Sequence, residues 1–265
     1  MGQNYGSGIA AVGLMKAPPA AAGGSQTVTI FDDFTDDTDA HYDGAIAVCT
    51  QASGDMTLDA AGLCLPKVIS GGTPPGEQPS TVNQWGLVHL DEVNGAEKHG
   101  ISLRTAEAQG ATDDSYAAWC DTIGQTGLVH LYNCTNTYGC TEFHETGIVC
   151  AGSFGGDTIG DIIGFAVAGT GAGTEFCVWF WENAAAGPTI DNTTVPADWG
   201  NAAECISDGT PYQSTMADFF TNADATVTWD ATPDVANGYS DTNLLCGMIT
   251  PGSPTPFTDF VCGDL

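Results

Sequence analysis

Apolar runs in this chain are short, and residues that favour turns separate them almost everywhere. The two most apolar runs are Ile162–Ala168 and Phe176–Trp181, with the glycine-rich stretch Gly169–Gly173 between them. The chain contains 35 Gly and 13 Pro, whereas stretches with Glu, Lys, Leu and Arg at helical spacing are scarce. Short apolar runs bounded by Gly, Pro, Asn and Asp are typical of strands, so the sequence predicts an all-β protein.

The β-type runs continue through residues 27–265 without a charged linker or a low-complexity bridge. We therefore predict a single domain over 27–265, folded as an antiparallel jelly-roll β-sandwich. Ser214–Thr221 is the one candidate for a helix. The predicted strands are Thr27–Phe31, Ala45–Cys49, Gly86–Leu90, Gly100–Arg104, Gly127–Leu131, Gly147–Cys150, Ile162–Ala168, Phe176–Trp181, Thr226–Trp229, Asn243–Ile249 and Phe257–Cys262.

Residues 1–26 form a segment of different character. Ile9–Met15 is apolar and Ala17–Ala22 resembles a small-residue cleavage region, but Lys16 lies on the wrong side for a secretory signal. We predict a flexible or partner-bound N-terminal arm, with an atypical export signal as the alternative. No apolar run approaches the roughly 18 residues that a membrane-spanning helix needs.

The charge of the chain is strongly one-sided, with 33 acidic residues against 4 Lys and Arg and a net charge of -29. Phosphate groups are bound by Lys and Arg that displace counterions, so we expect neither nucleic acid nor an anionic membrane as a partner. Adaptation to a saline medium is an alternative source of the acidic surface.

Ten cysteines indicate maturation in an oxidising environment. No CxxC pair occurs, so the patterns of zinc ribbons and thioredoxins are absent. We expect Cys134–Cys140 across a tight polar loop and Cys246–Cys262. Sequence alone leaves the remaining connectivity open, and free buried thiols are the alternative at several positions. Pairing of neighbours in sequence would give 49–64, 120–150, 134–140, 177–205 and 246–262.

Six aspartates fall within a short stretch that follows the first predicted strand. Calcium takes six to eight oxygen ligands, and closely spaced carboxylates in a loop can supply them. The spacing does not match an EF-hand loop, and diffuse monovalent cations would also neutralise such a cluster. The calcium candidates are Asp32, Asp33, Asp36, Asp37 and Asp39, and Asp43 completes the cluster.

Two segments of the chain are nearly repeated. Gly86–Leu90 and Gly127–Leu131 both read Gly-Leu-Val-His-Leu, and each is followed by a loop, a second His and a β-type run. This predicts two similar hairpins, the second with a tip closed by Cys134 and Cys140. Two copies are too few for a solenoid, and chance resemblance is the alternative.

The five histidines (His41, His89, His99, His130 and His144) include four in these segments. A zinc or nickel site needs three or four donors that converge at about 2 Å. No HxH or HExxH spacing indicates such convergence. We therefore expect strand histidines that face solvent.

Trp179 and Trp181 share one face of a strand, and Phe176, Val178 and Phe180 take the other. A strand that is apolar on both faces is usually central in a sandwich. Trp179 and Trp181 are also candidates to stack on sugar rings if the sheet exposes them.

Signatures of catalysis are missing from the sequence. There is no GxSxG, no P-loop, no GxGxxG after a strand and no ExDxxE carboxylate pattern. Glu142 with Glu145, and Glu175 with Glu182, are imaginable acid–base pairs without a supporting spacing. We predict no catalytic residues and no enzymatic activity.

Three segments together resemble the concanavalin A-like lectin/glucanase superfamily, including its laminin-G-like modules. They are Thr29–Phe34, the pair Gly164–Val167 with Phe176–Trp179, and Phe257–Val261. The resemblance implies a jelly roll whose first and last strands pair, and a concave sheet or rim loops that hold calcium and glycans. Modules of this type occur on virion surface proteins, and the missing carboxylate pattern gives no support for glucanase activity.

Together these features predict a non-enzymatic structural or adhesion protein on the outer surface of a virus particle. It would be a capsid-decoration or fibre-like subunit, homo-oligomeric, bound to other virion proteins through its arm and able to attach to host glycans. The alternatives are a secreted protein that binds or cleaves carbohydrate, and a subunit of a cell-surface layer or filament.

Overall fold

The computed structural model describes residues 27–35, 42–45, 49–66, 78–90, 98–106, 115–121, 127–135, 139–150, 161–169, 174–181, 190, 202–207, 226–227, 243–250 and 256–265. In these ranges the chain is all-β, as predicted, and no helix of membrane-spanning length and hydropathy is found. The predicted arm over 1–26 and the candidate helix over 214–221 lie outside them.

Sixteen strands occupy the described ranges. They are β1 (Ile30–Asp32), β2 (Tyr42–Ala45), β3 (Cys49–Ala52), β4 (Asp55–Leu58), β5 (Gly62–Pro66), β6 (Gln84–Leu90), β7 (Lys98–Thr105), β8 (Ser115–Asp121), β9 (Leu128–Thr135), β10 (Gly139–Val149), β11 (Asp161–Ala168), β12 (Glu175–Trp181), β13 (Ala202–Ser207), β14 (Thr226–Val227), β15 (Leu245–Thr250) and β16 (Pro256–Asp264).

The strands form two sheets. Sheet A has the order β14-β13-β12-β11-β6-β16-β4-β3, and β1 also pairs with β16. Sheet B has the order β10-β9-β8-β7-β15-β5-β2. Neighbouring strands are antiparallel except for the short parallel pair of β13 and β14. This arrangement is consistent with a β-sandwich, and the pairing of β1 with β16 joins the first and last described strands.

A large apolar core lies between the two sheets and receives alternate side chains from both. Sheet A contributes Phe165 and Phe176, and sheet B contributes Ile101 and Leu131, all fully or almost fully buried. Because side chains alternate along a strand, the other faces of the same strands carry separate sets. Those outward faces form two smaller buried apolar clusters, one centred on Trp85, Trp179 and Trp181 and the other including Trp119 and Tyr132.

The predicted central pair is confirmed. β11 and β12 lie next to each other in antiparallel register, and every residue in both strands is buried. Gly164 lies directly opposite Trp179. A strand that is apolar on both faces indicates a central position in a sheet whose two faces are both covered. The sequence therefore predicts these two strands well.

All ten cysteines are oxidised, and they pair with their neighbours in sequence. The structure contains both pairs that we expected, Cys134–Cys140 and Cys246–Cys262, and no free thiol remains. The other bridges are Cys49–Cys64, Cys120–Cys150 and Cys177–Cys205.

Two of the bridges connect the two sheets covalently. Cys49 on β3 is joined to Cys64 on β5, and Cys246 on β15 is joined to Cys262 on β16. All four side chains lie in the core between the sheets. A disulfide stabilises chiefly by restricting the unfolded chain. Because each of these two bridges joins a strand of sheet A to a strand of sheet B, each also holds the two sheets together in the folded state.

A buried arginine provides a polar connection between the sheets. Arg104 on β7 is 1% exposed, and its Nε donates to the carbonyl of Val82 at 2.6 Å. Its terminal nitrogen donates to the carbonyl of Gly169 at 2.6 Å, and its backbone N–H donates to the side-chain oxygen of Gln84 at 2.8 Å. One guanidinium therefore binds carbonyls at the ends of two neighbouring elements of sheet A.

The prediction of two similar hairpins is half right. β9 and β10 form the expected hairpin, and Cys134 lies directly opposite Cys140 in its register. β6 and β7 do not pair, because β6 lies between β11 and β16 in sheet A, whereas β7 lies between β8 and β15 in sheet B. The repeated pentapeptide specifies buried strands, and their partners are set by the packing of the two sheets.

Candidate functional site

The described part of the aspartate cluster is engaged in local hydrogen bonds. Asp32 is buried, and its carboxylate accepts from the backbone N–H of Phe34 at 2.8 Å and from the hydroxyl of Tyr42 at 2.9 Å. Asp33 is exposed and accepts from the N–H and the hydroxyl of Thr35. These contacts fix the turn after β1. Asp36, Asp37 and Asp39 lie outside the described residues, so the calcium site stays a prediction.

Trp179 and Trp181 do not form an exposed platform. They are 0% and 2% exposed, and their rings meet edge to face with centroids 6.3 Å apart. Both belong to the apolar cluster on the outward face of sheet A, together with Trp85. Stacking on a sugar needs an accessible ring face, so this arrangement favours the packing role of both side chains.

The expectation of solvent-facing histidines is wrong for the described strands. His99 and His130 are buried, at 1% and 0% exposure. His99 points into the core, where its ring meets Phe257 edge to face at 6.0 Å. His89 is partly buried, and its Nδ1 lies 2.8 Å from a carboxylate oxygen of Asp259, directly opposite on β16. His41 lies outside the described residues.

The outward face of the β9–β10 hairpin carries three cross-strand pairs in a row. At the tip Cys134 faces Cys140, next Tyr132 faces Glu142, and then His130 faces Glu145. On the other side of β9, Trp119 of β8 lies directly opposite His130, and its ring stacks on Tyr132 with a centroid distance of 3.6 Å. His130 therefore lies between the rings of Trp119 and Tyr132 on one side and the carboxylates of Glu142 and Glu145 on the other.

A β-bulge brings these carboxylates to the same face. Glu142 and Glu145 are three positions apart, a separation that places side chains on opposite faces of a regular strand. The register of β10 shifts between Glu142 and His144. Phe143 and His144 therefore share one position opposite Leu131 of β9. Phe143 packs toward the inner core, and the alternation then resumes one residue later.

The donor atoms of this group are close together. Nδ1 of His130 lies 3.3 Å from Oε1 of Glu142, and Nε2 of His130 lies 4.0 Å from Oε2 of Glu145. The two glutamates are 34% and 43% exposed, whereas the His130 side chain is fully buried. Within the described ranges, it is the one group of three side chains with metal-binding atoms found within 4.8 Å of one another.

The remaining histidine of the hairpin points the opposite way. His144 Nε2 lies 2.6 Å from Oε1 of Glu204, which belongs to β13 of sheet A. The second oxygen of Glu204 accepts from the backbone N–H of Gly147 at 2.7 Å. Both side chains are mostly buried and belong to different sheets, so this contact holds sheet B against sheet A.

The sequence predicts His130 in the strand 127–131 and leaves Glu142 and Glu145 in the loop that follows, so it does not bring the three side chains together. The available signal was the hairpin itself, because a hairpin closed at residues 134 and 140 places Glu142 and Glu145 beside β9. A spacing of three places two side chains on opposite faces of a regular strand, and the bulge in β10 brings Glu142 and Glu145 to one face.

No protein-family model matches the chain, and neither the curated proteins nor the solved structures include a significant match. The resemblance to concanavalin A-like modules therefore stays a prediction. What the structure itself defines is the class of the protein: an all-β, two-sheet protein with five disulfides, of the kind that matures in an extracellular or otherwise oxidising environment.

Proposed function

We propose that the chain is a non-enzymatic structural or adhesion protein displayed on the outer surface of a virus particle, as a capsid-decoration or fibre-like subunit. In this proposal the two sheets are a jelly-roll sandwich, and residues 1–26 bind neighbouring proteins of the particle. The observation that carries it is the covalent joining of the two sheets by Cys49–Cys64 and Cys246–Cys262.

This observation favours a structural role on an exterior surface for two physical reasons. A cross-linked sandwich keeps its shape outside the cell, where neither chaperones nor resynthesis can replace an unfolded copy. The net charge of -29 keeps such a surface hydrated and repels nucleic acid and anionic membranes.

The burial of Trp179 and Trp181 favours this role over a secreted carbohydrate-binding protein. Both indoles are used in packing on the outward face of sheet A, so neither presents an accessible ring face to a sugar. A glycan array discriminates the two functions. The structural proposal expects no ligand whose binding is lost in a Trp181→Phe variant, and clear turnover of any glycan would contradict it.

The proposal is tested directly on particles. Antibodies raised against the oxidised recombinant chain are applied to extracellular particles from the source culture, purified on a density gradient. We expect immunogold label on the exterior of intact particles, and cosedimentation of the chain with the major capsid protein. Antibody that has been pre-adsorbed with the recombinant chain is the control. Recovery of the chain only in the soluble fraction would overturn the proposal.

A further inference from the structure

We propose that His130, Glu142 and Glu145 bind one divalent transition-metal ion, with zinc as the best fit. The site goes beyond the displayed-scaffold function and does not depend on it. It lies on the outward face of the β9–β10 hairpin, at the edge of sheet B.

The first reason is convergence. One ring nitrogen of His130 and one oxygen from each glutamate lie within 4.8 Å of one another. Donors at about 2.0–2.2 Å from a tetrahedral zinc ion are about 3.3 Å apart. Because both glutamates are partly exposed, a change of side-chain rotamer on binding would bring the three donor atoms from within 4.8 Å to this spacing.

The second reason is the state of His130 itself. Its side chain is completely buried, and neither ring nitrogen makes a hydrogen bond to any part of the chain that the structure describes. Burying an imidazole without hydrogen bonds is costly, so native proteins seldom tolerate it. Nδ1 of the ring lies 3.3 Å from the carboxylate of Glu142 and Nε2 lies 4.0 Å from that of Glu145, and an ion bound to one of these nitrogens would satisfy it.

The third reason is the rigidity of the surroundings. The ring of Tyr132 lies beside the imidazole at 6.1 Å between centroids, and Trp119 lies opposite it on β8. The Cys134–Cys140 bridge holds the hairpin register two residues before Glu142 on β10. Ligands on paired strands are positioned more precisely than ligands on a loop.

The donor set selects among ions. Calcium and magnesium take oxygen ligands, whereas an imidazole nitrogen with two carboxylates suits zinc and its neighbours in the first transition series. Three protein donors leave a fourth position of a tetrahedral ion open. That position faces solvent, so water or a donor from another molecule would complete the coordination.

The test uses the oxidised full-length chain and zinc alone as the probe. Isothermal titration is carried out at physiological ionic strength with magnesium in large excess, which suppresses diffuse binding to the acidic surface. The variants are Glu142→Gln and Glu145→Gln. Asp59→Asn is the matched control, because it makes the same change of charge at an exposed bend after β4 of sheet A.

We expect a single saturable zinc site per chain, unaffected by Asp59→Asn. Each glutamine variant should weaken zinc at least about tenfold, since even the loss of a hydrogen-bond partner of a metal ligand has that effect. The nitrogen signals of the His130 ring should shift on addition of zinc in NMR spectra. Equal affinity in all variants, full displacement by magnesium, or unchanged ring signals would overturn the proposal.

Discussion

Nε2 of His144 and Oε1 of Glu204 lie 2.6 Å apart and join the edge of sheet B to sheet A. The other oxygen of Glu204 accepts from the N–H of Gly147, so one carboxylate binds two points of β10. Strands β10 and β13 belong to different sheets, and this contact closes the sandwich where no disulfide crosses between these two strands.

Removal of this carboxylate should therefore destabilise the fold. We expect Glu204→Ala to lower the free energy of unfolding by about 2 kcal/mol, because hydrogen bonds that involve a charged group contribute about 1.5–3 kcal/mol. Urea unfolding followed by tryptophan fluorescence measures the change. Glu142→Ala, which removes an exposed carboxylate from the same hairpin, is the control and should stay within about 0.5 kcal/mol of the wild type in metal-free buffer. Equal losses in the two variants would refute the special role of Glu204.

The close approach of Gly164 and Trp179 gives a second prediction. A Cβ at position 164 would overlap Nε1 and Cε2 of the Trp179 indole, so Gly164→Ala should lower stability by about 1–3 kcal/mol through overpacking. Gly147→Ala is the matched control, since the nearest atom to its Cβ is Oε2 of Glu204 at an ordinary 3.5 Å. Thermal unfolding should separate the variants clearly, and a Gly164→Ala protein as stable as Gly147→Ala would show that the indole is free to move.

Arg104 gives a third prediction. Its hydrogen bonds to the carbonyls of Val82 and Gly169 use separate nitrogens of one planar fork, a geometry that lysine cannot reproduce. We expect Arg104→Lys to cost about 2 kcal/mol and Arg104→Met to cost at least as much, because both leave a carbonyl without its donor. Chemical denaturation measures both losses. A methionine variant with wild-type stability would mean that water replaces the guanidinium.

The disulfides should differ in their contributions according to the length of chain that they close. Cys134–Cys140 spans 6 residues and Cys120–Cys150 spans 30, and both lie in or beside sheet B. The entropic model assigns about 2–3 kcal/mol to the shorter loop and about 3–4 kcal/mol to the longer one. Double Cys→Ala variants, compared by urea unfolding, should keep this order. The reverse order would point to residual structure in the unfolded chain.

The fold could be predicted where a strand carries its own signal. β11 and β12 are apolar on both faces, and the sequence therefore identified both their type and their burial. β8 (Ser115–Asp121) and β13 (Ala202–Ser207) escaped prediction: each contains two adjacent alanines, which favour strands weakly, although β8 also carries Tyr116 and Trp119. Each becomes a strand through pairing, β8 between β7 and β9 and β13 beside β12. Tertiary contacts supply what local propensity lacks.

The candidate site was harder to predict than the fold for a specific reason. His130, Glu142 and Glu145 were all visible in the sequence, but an alternating strand separates the two glutamates. The register shift after Glu142 is decided by packing of Phe143 against Tyr116 and Phe176 in the core. The packing of Phe143 in the core thus determines that Glu142 and Glu145 meet on the surface. The spacing of residues in the sequence does not predict this packing.

The irregular register of β10 also governs what can attach at this edge of the molecule. Among the strands that the structure describes, β10 is the outermost in sheet B, and its register shifts twice, after Glu142 and again after Glu145. An irregular edge is a poorer template for a further strand, so growth of the sheet by addition of further copies is disfavoured here. A partner at this margin would therefore meet side chains, Glu142 and Glu145 among them, more readily than an in-step row of main-chain groups.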